Sequence, residues 1–83
     1  MADVNIYPNP FSNATTVEVV LRNKAKVTVE VYDVVGQLIQ AENKGTLNNG
    51  VHKVEIAGDG LAPGIYYVKI QIGESSITRK VIH

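Results

Sequence analysis

Leu61-Ala62-Pro63-Gly64-Ile65-Tyr66-Tyr67-Val68-Lys69-Ile70-Gln71-Ile72 is the stretch that decides the fold class of this chain. A Pro-Gly turn launches a strand that alternates to its end. Tyr66, Val68, Ile70 and Ile72 point one way, and Ile65, Tyr67, Lys69 and Gln71 the other. The first set has the make-up of a core face. The second is mixed, as a face that partly meets water would be. Pro63 fixes φ near the turn value, and Gly64 can supply the positive φ that a type II turn needs at its third position. A tyrosine just after such a turn can bury its ring and return its hydroxyl to the backbone upstream, the device called a tyrosine corner. Tyr66 reads as a core aromatic, with the corner a special case of that reading. Leu61 is expected to plug the same end of the core.

On the C-terminal side, Gly73-Glu74-Ser75-Ser76 reads as a hairpin and Ile77 to His83 as the last strand. Ile77 and Val81 share one face; Thr78, Lys80 and Ile82 share the other. Arg79 falls on the apolar side of this count. Either a bulge resets the register, or Arg79 lies at an edge and snorkels. On the N-terminal side, Gly58-Asp59-Gly60 is a connector and Val51 to Ala57 a strand with Val54 and Ile56 inward. Asn43 to Gly50 reads as a loop with two Gly-centred turns, Leu47 tucked beneath it, and Asn49-Gly50 as the strongest local turn signal. Gln37 to Glu42 is a strand of poor pattern in which either Leu38 or Ile39 is inward. Asp33-Val34-Val35-Gly36 is a turn with Gly36 at positive φ.

Ala25 to Tyr32 alternates most clearly: Ala25, Val27, Val29 and Val31 against Lys26, Thr28, Glu30 and Tyr32. Thr15 to Leu21 turns Val17, Val19 and Leu21 to one side. Asp3 to Tyr7 alternates and runs into Pro8-Asn9-Pro10, whose prolines cannot donate to a ladder, so this strand must end or sit at an edge. Phe11 is expected to fold back onto the core. Seven short strands separated by turn signals imply an all-β, immunoglobulin-like antiparallel β-sandwich.

Composition agrees. The 83 residues are enough for one domain, and a domain this small buries only roughly 60–65% of its unfolded surface, so its core must be well patterned. β-Branched residues and tyrosine recur, and no 3.6-residue apolar period exceeds two turns. Eight Lys and Arg balance eight Asp and Glu, which argues against a nucleic-acid or polybasic membrane footprint. No cysteine is present, so neither disulfides nor thiolate metal sites contribute. No apolar run approaches the ~18 residues of a membrane span. Met1-Ala2 reads as a start placed ahead of an excised domain of residues 3–83; a leader at the front of a longer parent would not be visible.

No catalytic constellation emerges. His52 and His83 lack metal-ligand spacing, and His52 on a strand reads as a half-buried packing residue. Glu18, Glu30 and Glu55 occupy outward strand positions, which favours solvation over acid/base work. Asp59 supplies one carboxylate where a calcium site needs several oxygens, and reads as a turn residue. Asn13-Ala14-Thr15 matches a glycosylation acceptor, a tripeptide common by chance. No cofactor and no small-molecule substrate are expected, and the chain reads as a non-enzymatic module.

Five segments resemble one family, the type A C-terminal sorting domains of the bacterial type IX (Por) secretion system. They are Ile6-Tyr7-Pro8-Asn9-Pro10-Phe11, Val29 to Gln37 with Asp33 and Gly36, Leu47 to Val54, Leu61 to Ile70 with Gly64 and Tyr66, and Thr78 to His83. Their order is the family's, and they span nearly the whole chain. Members often end on Lys or Arg, whereas His83 ends this chain. The resemblance implies a C-terminal address on an exported cargo of Bacteroidetes. The cargo would pass through the periplasm and reach the cell surface or medium, its sorting domain typically removed by a surface sortase. It implies partners among translocon, shuttle and sortase proteins, and a cargo domain fused ahead. The recognition signal would comprise Pro8, Pro10, Arg79, Lys80, Val81, Ile82 and His83, with Asp33, Gly36, Leu61, Gly64 and Tyr66 as structural motif. Pro8-Asn9-Pro10 can also be read as a plain strand terminator, and Arg79-Lys80 as a solvated edge pair. An exposed terminal strand would permit β-augmentation by a partner, or a dimer. The competing reading is a fibronectin-like adhesion or carbohydrate-binding sandwich, for which Tyr32 and Tyr67 are the outward aromatic candidates.

Overall fold

A computed structural model describes residues 2–83. In chain order the strands are β1 (Ala2–Tyr7), β2 (Ala14–Leu21), β3 (Ala25–Tyr32), β4 (Leu38–Leu47), β5 (Gly50–Ala57), β6 (Ile65–Ile72) and β7 (Ser75–Ile82). They form two antiparallel sheets, β1-β2-β5 and β4-β3-β6-β7. This is the all-β, immunoglobulin-like sandwich that the alternation implied. Ala2 already pairs with Leu21 in the ladder, and Met1 lies outside the described residues.

The core is built from the inward halves of the alternating strands. Val17, Val19, Val27, Val68 and Ile70 are fully buried, with Tyr66, Val54, Ile56, Val81 and Phe11 packed around them. Each such side chain contributes about 1.5–3 kcal/mol through removal from water. Leu61 packs against this cluster, as expected.

β4 departs most from the sequence reading. It does not stop at Glu42 but continues through Leu47, so the expected loop over residues 43–50 is mostly strand. Two register shifts break its period of two. The first leaves Lys44 without a partner, with Gly45 at φ +69° and its N–H donated to Asn43 Oδ1 at 2.9 Å. The second leaves Ile39 unpaired, and it is Ile39 that packs on the core while Leu38 is exposed. Asn49-Gly50 does not close a hairpin. Asn48 and Asn49 carry the chain from one sheet to the other, and His52 Nε2–H donates to Asn48 O at 2.7 Å beneath this arch.

Two further details resolve or correct the reading. β7 has no register shift against β6, so Arg79 lies at an edge: it sits opposite Val68 on the core side and extends past the sheet into solvent. Gly64 has φ +151°, far from the roughly +80° of a type II turn, because it already pairs with His83 beyond the end of the β6–β7 ladder.

The strand directions give the sandwich two poles. The chain enters at one, which also carries turns 22–24, 48–49 and 73–74. The opposite pole carries loop 8–13, turn 33–37, connector 58–64 and His83.

Candidate functional site

Four of the five quoted segments converge on the pole away from chain entry. Their centre is the outer edge of β7. Gly64 and His83 exchange both backbone hydrogen bonds, at 3.1 and 2.8 Å. Because such pairs alternate along an antiparallel ladder, the N–H and C=O groups of Ser76, Thr78, Lys80 and Ile82 point away from β6, at the sheet edge.

Residues 9–11 close one half of that edge. Asn9 Nδ2–H donates to Lys80 O at 3.0 Å, and the Ile82 N–H donates to Asn9 Oδ1 at 3.0 Å. The Phe11 N–H donates to Ile82 O at 2.9 Å. The Asn9 side chain thus does what a neighbouring strand's backbone would do. Pro8 and Pro10 have no N–H to offer, which leaves this task to the amide between them. Both proline peptide bonds are cis, and both rings are exposed. The Thr15 hydroxyl, itself buried, fastens the segment by donating to Pro8 O at 2.7 Å.

The C-terminal ring completes the clamp. His83 stacks on buried Phe11 with centroids 4.7 Å apart and planes 13° from parallel. Its Nδ1–H donates to Phe11 O at 3.3 Å. Buried Gly58 lies against this ring: a Cβ there would stand 2.8 Å from His83 Cε1 and 2.9 Å from Asn13 O. Val81 is core, so of the terminal residues Arg79, Lys80 and Ile82 present side chains to solvent. Arg79 and Lys80 form no ion pair among the described residues.

The other expected motif residues are structural. Asp33 Oδ1 accepts from the Val35 and Gln37 N–H groups at 3.0 and 2.9 Å, and Gly36 turns the chain at φ +87°. The Tyr66 hydroxyl donates to Ala62 O at 2.5 Å, which makes the tyrosine corner real. The Leu61 N–H donates to Gly58 O at 3.0 Å and seats the connector.

Sequence reasoning missed Asn9 and Gly58. Asn9 had a signal: it is the lone donor between two prolines. Gly58 had none, because the ring that excludes its Cβ belongs to a residue at the far end of the chain. Among the described residues no three His, Asp or Glu side chains gather to hold a metal ion. The half-buried Tyr32 hydroxyl donates to Glu30 Oε1 at 3.0 Å, and this bond to a carboxylate raises the Tyr32 pKa, with desolvation and the Glu30 charge adding to the effect.

Comparison with known proteins gives a consistent picture. The family model described as a secretion system C-terminal sorting domain matches residues 5–83. No curated protein matches the chain. Among solved structures, dimeric latent PorU from Porphyromonas gingivalis shares the fold with a TM-score of 0.75 at 18% identity. The match covers 98% of this chain and 9% of that one, so the chain spans a small part of that protein's length. With the matched residues running from β1 to His83, this chain belongs to the family of C-terminal sorting domains of the type IX secretion system, and it is a secretion signal.

Proposed function

We propose that this domain rides behind a cargo and is read, folded, as the cargo's address for passage from the periplasm across the outer membrane to the surface or medium. It acts as an address and not as a catalyst. The observation that carries the reading is the clamp joining residues 9–11 to residues 80–83. It makes the terminal segment part of a rigid pole instead of a loose tail. In this scheme Pro8 and Pro10 present Asn9, and Val81 and His83 hold the last strand in place. Arg79, Lys80 and Ile82 are the side chains offered to the export machinery. A surface sortase then removes the domain upstream of β1. Ser76 and Thr78, whose edge groups the clamp does not reach, offer pairing to an added strand from the machinery or from a second copy.

The test is a reporter. A periplasm-targeted fluorescent protein carries residues 2–83 at its C-terminus in a bacterium with type IX secretion. A second version carries Ile70→Asp, which places a charge in the core and unfolds the domain. The intact domain sends the reporter to the surface or medium and the Ile70→Asp version stays periplasmic. Periplasmic retention of the intact fusion would refute the address. Equal export of both would show that a linear peptide, not the fold, is read.

A further inference from the structure

Six of the eight exposed large apolar side chains lie together. Across the outer face of the larger sheet, ladder pairing sets Leu38 beside Tyr32, Tyr32 beside Tyr67, and Tyr67 beside Lys80. The next row toward the pole is Ile65 beside Ile82. Val34 and Val35 stand on the turn between Tyr32 and Leu38. Exposures run from 37% at Ile65 and 39% at Tyr67 through 41% at Ile82 and 48% at Leu38 to 64% and 82% at Val34 and Val35. Away from this pole the same face is polar, with Glu30, Lys69, Thr28, Gln71, Thr78 and Ser76 in its rows. A contiguous apolar surface confined to one end of a sheet marks an interaction site.

We propose that this patch is the docking surface for one protein of the export machinery, with an apolar contact face and a carboxylate that meets Lys80. The proposal rests on the address reading and names the surface that is read. Two observations point to this occupant. The patch lies at the pole opposite chain entry, roughly 25 Å away along an eight-residue strand, so a fused cargo leaves it free. Its carboxylates are already engaged: Glu30 accepts the Tyr32 hydroxyl, and Asp33 accepts two backbone N–H groups of its own turn. Among the described residues Lys80 forms no ion pair and is the one charge of its row, and a second copy meeting the same patch would set another lysine there, with Glu30 and Asp33 already engaged by Tyr32 and by their own turn.

Two measurements test it, using the same reporter cells. Leu38→Ser combined with Tyr67→Ser should cut surface reporter roughly tenfold, as loss of central apolar anchors does. Thermal unfolding of the purified variant should stay cooperative, and Val51→Ser, an exposed apolar change elsewhere, should export normally. Separately, Tyr67 is replaced by photo-crosslinking p-benzoylphenylalanine in the otherwise intact fusion. Irradiation should yield an adduct with a protein other than the fusion itself, and Lys80→Glu should suppress it. Unimpaired export of the folded double variant overturns the proposal. So does an adduct of twice the fusion mass, which would assign the patch to a second copy, and so does the absence of any adduct. If even the intact fusion is retained, the address reading fails, while the crosslink still decides the patch.

Discussion

At the residue scale, Gly58 and Tyr32 make the sharpest statements. Gly58 is needed for space, not for backbone freedom, because its Cβ would collide with the His83 ring and with Asn13 O. Gly58→Ala should therefore lower stability by about 1–3 kcal/mol in a denaturant titration, as overpacking does. Adding His83→Ala should recover only part of the loss, since the clash with the Asn13 carbonyl remains. Tyr32 gives a pH signature. Its pKa is raised in the folded state by the bond to Glu30, so folding favours the protonated phenol. Its contribution is present below the ordinary value of about 10 and fades as pH rises through the higher folded value. Between pH 9 and 11 the wild type should lose more stability than Tyr32→Phe; equal losses would mean that the Glu30 bond does not persist in solution.

At the element scale, the issue is how an edge strand at the end of a chain is kept in place. β7 has one neighbour, β6, and a free outer edge, the arrangement that invites unwanted pairing. Half of that edge is closed by the Asn9 side chain and the Phe11 N–H. Asn9→Ala removes two hydrogen bonds, each worth about 0.5–1.5 kcal/mol net. Hydrogen exchange at the Ile82 amide should accelerate well beyond that at Val68, which lies in the centre of the sheet. Exchange unchanged at Ile82 would mean that the clamp is not formed. β4 shows the opposite problem. Its two bulges let an edge strand bend round the core and deliver Ile39 inward, and they also erased the alternation by which the strand would have been recognised.

At the scale of the whole molecule, the two ends of the chain play different parts. β1 is where an upstream cargo would attach, and the far pole gathers segments near residues 10, 35, 62 and 81. Because Val81 and His83 belong to the core and the clamp, deleting Lys80 to His83 should not leave a folded domain lacking only its signal. Against a total stability of roughly 4–12 kcal/mol for this length, the loss should abolish cooperative thermal unfolding. A cooperative transition near that of the intact domain would show the terminal residues to be dispensable for folding. The sequence by itself determined the class of the fold and most of its core. Alternation in β2, β3 and β6 is a local, period-two signal that tertiary context does not alter, and turn chemistry at Asp33-Gly36 and Leu61-Gly64 is written in adjacent residues. The choice of Ile39 over Leu38, the crossing at Asn48-Asn49, the pairing of Asn9 with β7 and the need for glycine at 58 were decided only by tertiary structure. Each depends on atoms contributed by distant parts of the chain, and no local pattern records which distant atoms will meet.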